Sequence, residues 1–187
     1  KKLLKKINFS EFENINLIHK QKLNKIFAKF KPKIVIHLAG QPGVLYSLIN
    51  PKSYYTNNIL ATKSICEICL KHKVKKFILG SSSSVYGEQK KIPITEKFKA
   101  NPKNPYAKTK LRSEQIVQNL FENKIDYIIF RFFTVYGPSG RPDMFIHKFL
   151  NSIKKGKLTK LHNDGLNYRD FTYIDDVVKI LANSINK

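Results

Sequence analysis

The stretch KKFILGS, residues 75–81, decides the fold class of this chain. Its short apolar run, FIL at 77–79, is followed by Gly80, which is typical of a strand buried inside a sheet. Similar runs precede and follow it, KIVIHLAG at 33–40 and DYIIFRF at 126–132. Two segments between them, 56–72 and 105–124, carry apolar residues at helical spacing. Strand and helix therefore alternate, which predicts an α/β fold with a parallel sheet and helices on both of its faces.

The sequence on either side of this core predicts further elements. Apolar residues at helical spacing predict a helix over 21–30. The second long helix has Asn104 as its predicted N-cap and Pro105 at its first position, where a missing N–H costs nothing. Further along the chain, the sequence predicts a helix over about 143–155, extended pieces near 157–162 and 168–174, and a closing helix from Asp175.

The chain is strongly basic, with 35 Lys and Arg residues against 13 Asp and Glu and a formal net charge of +22. All but four of the basic residues are lysines, and they are scattered along the sequence. Specific readers of nucleic acid usually rely on arginine and on stacking aromatics. We therefore expect a solvated basic surface with incidental affinity for polyanions, and no specific nucleic-acid partner.

Composition excludes several broad classes of protein. Apolar residues make up 42% of the chain, enough to build a core and to exclude a disordered polymer. No apolar run approaches the roughly 18–20 residues of a membrane span, and the first residues lack the apolar region of a signal peptide. The two cysteines exclude a disulfide framework. These features predict a cytoplasmic protein with no membrane partner.

The carboxyl ends of the three predicted strands are the place to look for chemistry. These ends are Ala39–Gln41, Ser81–Ser84 and Phe133–Tyr136. In an open parallel sheet they meet at one edge, and ligands bind in the crevice beyond it.

Tyr106 and Lys110 form a Y-x-x-x-K pair near the start of the second long helix. Four-residue spacing places both side chains on one helix face, and an ammonium beside a phenol favours the phenolate. The spacing alone is weak in a lysine-rich chain. Ser81–Ser84 strengthens it, because hydroxyls at a strand end can bind a substrate oxygen while Tyr106 moves its proton.

Other reactive side chains are predicted to be structural. Cys66 and Cys69 lie in the apolar pattern of a helix, and His37 lies inside a strand, so we expect all three in the core. The remaining histidines show no metal-ligand spacing, and no metal is expected. Asp175 and Asp176 follow an extended piece and are predicted to cap the closing helix.

Six stretches together resemble a known family, the extended short-chain dehydrogenase/reductases that act on nucleotide sugars, and within it the UDP-glucuronate 4-epimerases. They are HLAGQPGV (37–44), NPKSYYTNNILAT (50–62), SSSSVYGE (81–88), NPYAKTK (104–110), RFFTVYGPSGRPDM (131–144) and YRDFTYIDD (168–176). The resemblance implies a Rossmann-like fold, tightly held NAD and a UDP-sugar substrate. It also implies that Tyr106 takes the proton of the sugar 4-OH while hydride leaves C4, giving a 4-keto intermediate that turns over in the site.

The same resemblance assigns roles to individual residues. Those implied to be catalytic are Ser82, Tyr106 and Lys110. Those implied to bind the cofactor are Leu38, Ala39, Gly40, Asn58, Tyr106, Lys110 and Phe133. Those implied to bind the substrate are Ser82, Ser83, Ser84, Thr134, Arg141 and Arg169. Arginine suits carboxylate and phosphate because its planar fork pairs with both oxygens at once.

The chain departs from the family pattern at three points. No G-x-x-G-x-x-G occurs, so the first βαβ unit that would hold the NAD pyrophosphate is missing, and Asn16 stands where an Asp usually lies near adenine. The chain stops before most of the substrate domain, and Leu45 stands where the family commonly has Arg. We therefore expect an internal fragment that binds NAD poorly and is inactive alone, with a partial Rossmann domain at 1–140 and the start of an interleaved substrate region at 141–187.

Several alternatives to a UDP-glucuronate 4-epimerase stay open. The close enzymatic alternatives are UDP-glucose 4-epimerase and UDP-glucuronate decarboxylase. Whichever of these it is, the full-length parent of this chain is expected to be a homodimer. A 4,6-dehydratase is disfavoured, because the family places Asp-Glu where this chain has Ser83 and Ser84. An inactive basic fragment that binds polyanions is the alternative from another class.

Overall fold

The computed structural model describes residues 11–158, 161, 165–166 and 168–186. The helices are α1 (Lys20–Phe30), α2 (Val44–Ile49), α3 (Pro51–Tyr54), α4 (Ala61–Lys71), α5 (Pro105–Phe121), α6 (Phe145–Lys154) and α7 (Ile174–Ile185). The strands are β1 (Ile34–His37), β2 (Lys76–Ser82), β3 (Asp126–Phe132), β4 (Thr134–Tyr136) and β5 (Phe171–Tyr173). A π-helical segment, Tyr55–Leu60, joins α3 to α4, and a 3₁₀ turn, Ser83–Tyr86, follows β2.

The first three strands form one parallel sheet in the order β1-β2-β3. Ile34 of β1 pairs with Lys76 of β2, which pairs in turn with Asp126 of β3. This register brings the carboxyl ends of all three strands to the same edge of the sheet. The predicted α/β, Rossmann-like parallel sheet is confirmed.

The main core lies between one face of the sheet and helices α1, α4 and α5. Phe77 and Leu79 of β2 are almost fully buried on this face, and the Phe77 ring lies 5.1 Å from the ring of Phe121 on α5. Each such side chain contributes about 1.5–3 kcal/mol through burial. Cys66 and Cys69 are fully buried in the same cluster, as predicted, and burial raises the pKa of Cys69 to about 12. Both thiols therefore stay protonated at neutral pH and serve to pack the core.

Helix α7 lies against the opposite face of the sheet, so helices cover both faces as predicted. Lys76 projects to this side, where its ammonium lies 3.4 Å from the carbonyl oxygen of Ser184 in α7 and 3.2 Å from the Asp126 carboxylate. Gly80 lies on the same strand, and a Cβ there would stand only 2.8 Å from a methyl of Leu38. A glycine is needed here because the neighbouring side chain closes over the strand end.

The helical region after β1 is longer than the sequence pattern indicates. The predicted helix at 56–72 begins at Pro51 instead, where Asn50 caps it by accepting a hydrogen bond from the Ser53 N–H at 3.2 Å. Helix α2 was not predicted, because its apolar residues are largely exposed and leave no buried periodic stripe. Leu45 and Ile49, for example, are 76% and 79% exposed.

The C-terminal elements correct two further predictions. The extended piece near 168–174 is β5, which pairs in parallel with β4 in a separate two-stranded sheet. No strand forms at Lys157 or Leu158, and most of the rest of the piece predicted at 157–162 lies outside the described residues. The prediction that Asp175 and Asp176 cap α7 is wrong, because the N-cap is Tyr173 and both carboxylates lie in the first turn. There they interact favourably with the helix dipole.

None of the helices in the described part of the chain is long and apolar enough to cross a membrane. Within that part there is also no cluster of three or more His, Cys, Asp or Glu side chains suited to a metal ion.

Candidate active site

A cleft of about 900 Å³ opens at the carboxyl edge of the sheet. Its volume is in the range of small-molecule sites, which commonly occupy about 300–1,000 Å³. The residues that line it come from all three predicted strand ends, from the loop after β4 and from helices α5 and α6. They include Gln41, Ser81, Ser82, Ser83, Ser84, Tyr106, Phe133, Thr134, Arg141, Asp143 and Lys148.

Helix α5 presents Tyr106 and Lys110 to this edge of the sheet. Asn104 caps the helix, accepting a hydrogen bond from the Ala107 N–H at 2.9 Å, and Pro105 follows it, as predicted. Tyr106 and Lys110 together line a second cleft of about 360 Å³, next to the first, which also contains Leu38 and Gly40. Both side chains of the pair therefore line a cleft at the strand ends.

Lys110 is buried and bound to the backbone of β2. Its ammonium donates a hydrogen bond to the carbonyl oxygen of Gly80. Burial lowers the pKa of Lys110 from 10.5 to about 8, while the carboxylate of Glu114 raises it against that trend. Burial and the positive charge of Lys110 lower the pKa of His37 to about 4. His37 is thus a neutral core histidine, as predicted, and its ring Nε2 lies 3.0 Å from the Thr62 hydroxyl.

The serine row, Ser82–Ser84, turns out of β2 into the cleft. The Ser82 hydroxyl accepts a hydrogen bond from the Ser84 N–H at 3.2 Å, which begins the 3₁₀ turn. Ser82 is buried, whereas Ser83 and Ser84 are half-buried. The row therefore places several neutral hydroxyls on the wall of the cleft that Tyr106 also lines.

Asn58 holds the end of β1 to helix α5. Its side-chain oxygen accepts from the Gln41 N–H at 2.7 Å, and its amide nitrogen donates to the Gln41 carbonyl at 3.1 Å and to the Thr109 hydroxyl at 3.0 Å. A Cβ on Gly40 would lie 2.9 Å from the Asn58 oxygen, so only glycine fits this approach. Asn58 lies in the π-helical segment, a feature that often marks functional sites.

Arg141 reaches the cleft from the loop after β4 and is paired with an acid. Its Nε donates to Asp143 Oδ1 at 3.0 Å, and its Nη2 donates to Asp143 Oδ2, so the two planar groups form a fork. These hydrogen bonds hold the pKa of Asp143 below its usual range. Both side chains are exposed, and Thr134 lines the cleft beside them.

Three other residues implied by the resemblance lie at or beyond the rim of the main cleft. Ala39 and Gly40 line a neighbouring cleft of about 390 Å³ together with Asn16. Arg169 is exposed and donates to the carbonyl oxygen of Tyr168 at 2.7 Å. The structure does not bring Arg169 to the lining of the main cleft.

The fold and this cleft agree with what sequence comparison finds. The sequence model of the NAD-dependent epimerase/dehydratase family matches residues 1–187. The chain belongs to this family. It is 40% identical over 178 residues to the UDP-glucuronate 4-epimerase of Thermodesulfobacterium geofontis, an alignment that covers 94% of this chain and 55% of the relative.

Two solved structures of the epimerase/dehydratase family superpose closely on the chain. The UDP-glucuronic acid 4-epimerase of Bacillus cereus, in complex with UDP-glucuronic acid and NAD, matches with a TM-score of 0.90 and 35% identity over 99% of this chain and 59% of that one. The UDP-glucose 4-epimerase of Thermotoga maritima, with UDP-glucose, matches with a TM-score of 0.89 and 29% identity over 96% of this chain and 61% of that one. The chain thus spans about half the length of its family relatives.

The structure also adds two residues to the site of this family member that the sequence analysis missed. Tyr54 is fully buried, and its hydroxyl lies 2.8 Å from the carbonyl oxygen of Pro42 and 2.6 Å from that of Gly43, which fixes one wall of the cleft. Its ring also lies edge-on to Tyr106 at 6.1 Å. Glu114 lies beneath Lys110, and its four-residue spacing from Lys110 was the signal that could have revealed it.

Proposed function

We propose that a protein of full family length carrying this sequence interconverts UDP-glucuronate and UDP-galacturonate with tightly bound NAD. The observation that carries the proposal is the meeting of Tyr106, Thr134, Arg141 and the serine row in one cleft of about 900 Å³. The resemblance of the chain to UDP-glucuronate 4-epimerases supports the choice of substrate.

The residues at the strand ends fit a nicotinamide cofactor. Gly40 leaves the end of β1 free of a side chain, and Asn58 fixes the backbone beside it. Lys110 uses one hydrogen bond on Gly80 and has two further donors for ribose hydroxyls. When bound, NAD supplies a hydride acceptor that returns the hydride later. Leu38, Ala39 and Phe133 are proposed to complete the cofactor contacts.

Tyr106 is the proposed base for the sugar 4-OH. Its phenol takes the hydroxyl proton, and the Lys110 ammonium stabilises the phenolate through its positive charge. Ser82 is proposed to donate to the same sugar oxygen and so to fix its position. In the reverse half of the reaction, Tyr106 would give the proton back to the oxygen on C4.

Neutral hydroxyls are well suited to hold the sugar carboxylate. Ser83, Ser84 and Thr134 can donate to it without the like-charge repulsion that an Asp or Glu would cause. Each hydrogen bond to a charged group contributes about 1.5–3 kcal/mol. Arg141 is proposed to approach the same carboxylate or the phosphates, in competition with Asp143, which occupies its Nε and Nη2 donors in the structure. A contact of Arg169 with the pyrophosphate stays a prediction from sequence, since Arg169 lies outside the cleft lining.

Control of the carboxylate is needed because the 4-keto intermediate of glucuronate is a β-keto acid. Such an acid loses CO₂ when the bond from C5 to the carboxylate aligns with the carbonyl π system. An epimerase must therefore hold the carboxylate out of this alignment while the keto sugar turns over. The hydroxyls of Ser83, Ser84 and Thr134 are the groups that we propose for this task.

Epimerisation of UDP-glucose is the second candidate function. It is favoured by the match to the Thermotoga maritima UDP-glucose 4-epimerase, whose TM-score of 0.89 is close to that of the glucuronate enzyme. Epimerisation of UDP-glucose would use the same Tyr106–Lys110 chemistry but would offer Arg141 no sugar carboxylate.

Three further properties of the full-length protein stay predictions: a homodimer, a cytoplasmic location and the lack of a specific nucleic-acid partner.

The test is product analysis with two substrates. The full-length protein is incubated with NAD and either UDP-glucuronate or UDP-glucose, and the products are separated by chromatography. We expect UDP-galacturonate from the first substrate and at most slow conversion of the second. Efficient conversion of UDP-glucose with none of UDP-glucuronate would overturn the proposed substrate and leave the proposed chemistry standing.

A further inference from the structure

Glu114 holds two neighbouring strands with a single buried carboxylate. It is 1% exposed, and it accepts a hydrogen bond from the Ser81 hydroxyl. It also accepts from Arg131, whose Nε lies 3.1 and 3.2 Å from the two carboxylate oxygens and whose Nη2 lies 2.7 Å from Oε2. Ser81 and Arg131 are register partners across β2 and β3. Glu114 therefore ties helix α5 to both strands at one level of the sheet.

Arg131 extends this connection to the far end of the serine row. Its guanidinium lies 4.7 Å from the ring centre of Tyr86, the last residue of the 3₁₀ turn. Tyr86 is 3% exposed, so the stacking is enclosed, where cation–π attraction is stronger than at the surface. Both residues that flank Ser82–Ser84 in this network are thus held in place. Ser81 before the row donates a hydrogen bond to Glu114, and Tyr86 after the row packs against Arg131.

The same helix face carries the proposed catalytic pair. Tyr106, Lys110 and Glu114 follow one another at four-residue steps and form one stripe along α5. Lys110 binds the carbonyl of Gly80, and Glu114 binds the hydroxyl of Ser81. Consecutive turns of the helix therefore bind consecutive residues of β2.

We propose that Glu114 is a positioning residue that, with Arg131, sets the distance between the serine row and the Tyr106–Lys110 pair. The inference rests on the proposed function, in which Ser82 and Tyr106 contact one substrate hydroxyl. A displacement of about 1 Å between such groups can cost about 100-fold in rate. A buried ion pair is weak support for stability, because an apolar pair of similar volume is often at least as stable.

Glu114 also contributes charge near Lys110. The charge of Glu114 acts on the Lys110 ammonium, and the charge of Lys110 acts in turn on His37 of β1. Tyr106 lines the same cleft as Lys110, and Arg131 of β3 lies on the other side of the Glu114 carboxylate. Glu114 is the acid among them, and it raises the pKa of Lys110 against the effect of burial. Replacing its carboxylate by an amide leaves Arg131 uncompensated, so Lys110 should lose its proton at a lower pH.

The first experiment compares Glu114→Gln with wild type in the full-length protein with bound NAD. We expect kcat to fall by about 10- to 100-fold with little change in KM, because positioning and not substrate contact is lost. Glu67→Gln is the matched control, since Glu67 pairs with Lys20 away from the cleft. The double variant Glu114→Leu, Arg131→Met should fold but should not recover kcat. A kcat within twofold of wild type in folded Glu114→Gln would overturn the proposal.

The second experiment does not depend on activity. In the full-length protein, NMR with selective labels follows the backbone amides of residues 81–86 and the titration of the Lys110 side chain. Glu114→Gln is expected to shift these amide resonances and to move the Lys110 titration to lower pH, and Glu67→Gln is expected to change neither. Unchanged amides and an unchanged titration would refute the role of Glu114. Lack of any UDP-sugar conversion by wild type would instead remove the proposed function, and the NMR result would still decide on Glu114.

Discussion

The ammonium of Lys110 donates a hydrogen bond to the carbonyl oxygen of Gly80, two residues before the serine row begins. This contact takes a charged group out of water and places it beneath the cleft that Tyr106 also lines. The buried ammonium costs stability, and the charge that it supplies to the phenol is the proposed benefit.

Replacing Lys110 by methionine should therefore stabilise the fold while abolishing turnover. The free energy of unfolding at neutral pH is expected to rise by up to about 3 kcal/mol, because burial lowers the pKa of Lys110 from 10.5 to about 8 and each pKa unit corresponds to about 1.4 kcal/mol. Denaturant unfolding measures this change. Lys108→Met, on an exposed position of the same helix, is the control and should leave the free energy nearly unchanged.

The same lysine gives the stability of the wild type a defined pH dependence. Its folded pKa of about 8 lies below the ordinary 10.5, so between these values the unfolded chain binds the proton more tightly. The contribution of Lys110 to the free energy of unfolding therefore rises with pH across this window. Lys110→Met should remove that rise, and an identical pH profile in both proteins would speak against a buried charged lysine.

Tyr106→Phe should lose most of the activity of the full-length protein and keep its NAD. The substitution removes only the proton acceptor, and general base catalysis contributes about 10²- to 10⁴-fold. Steady-state kinetics with the bound cofactor quantified measures both effects. Tyr55→Phe is the control, because Tyr55 is exposed and about half open to solvent. Turnover near the wild-type rate in Tyr106→Phe would remove Tyr106 as the base.

Thr134→Ala and Ser83→Ala should both increase decarboxylation of the 4-keto intermediate. Each removes one hydroxyl that we propose to hold the carboxylate out of alignment with the carbonyl. The ratio of UDP-pentose to UDP-galacturonate, measured by chromatography, is expected to rise. Ser139→Ala, in an exposed loop, should keep the wild-type ratio. An unchanged ratio in both test variants would assign control of the carboxylate to other groups.

Asp143→Asn should strengthen binding of UDP-glucuronate. Asp143 occupies the Nε and Nη2 donors of Arg141, the edge of the guanidinium that we propose a substrate anion would use. Exposed ion pairs contribute up to about 1 kcal/mol, so KM should fall by at most about fivefold. Asp176→Asn, in the first turn of α7, is the control. A large rise of KM would mean that Asp143 orients Arg141 rather than competing for it.

Much of the fold could be predicted because its strands are buried apolar runs and its long helices have buried stripes. Phe77 and Leu79 belong to such a run, and the carboxyl end of the strand that contains them marks the position of the cleft. Helix α2 could not be predicted in this way, since Leu45 and Ile49 are exposed. The predicted cap of α7 was also wrong. The helix begins at Ile174, so Tyr173 is its N-cap and Asp175 lies inside the first turn instead of before it.

The candidate site could be predicted only where motifs mark it. Tyr106, Lys110 and the serines stand at recognisable spacings, and the structure brings them to one edge. Glu114 was missed because its role depends on Arg131 in β3. The sequence does not show that Arg131 pairs with Ser81 of β2, and only this register brings both residues to Glu114. Arg169 belongs to a matching motif but does not line the main cleft, so its contact with the pyrophosphate stays a prediction.

The most direct test of the central claim is the fate of a deuterium label at C4 of UDP-glucuronate. The account predicts that the full-length protein converts the labelled sugar to UDP-galacturonate that keeps the deuterium at C4, because the hydride is held by NAD and returned to the same carbon. Mass spectrometry and NMR of the purified product measure this retention. Product that carries protium at C4 after reaction in ordinary water would contradict transient oxidation at C4.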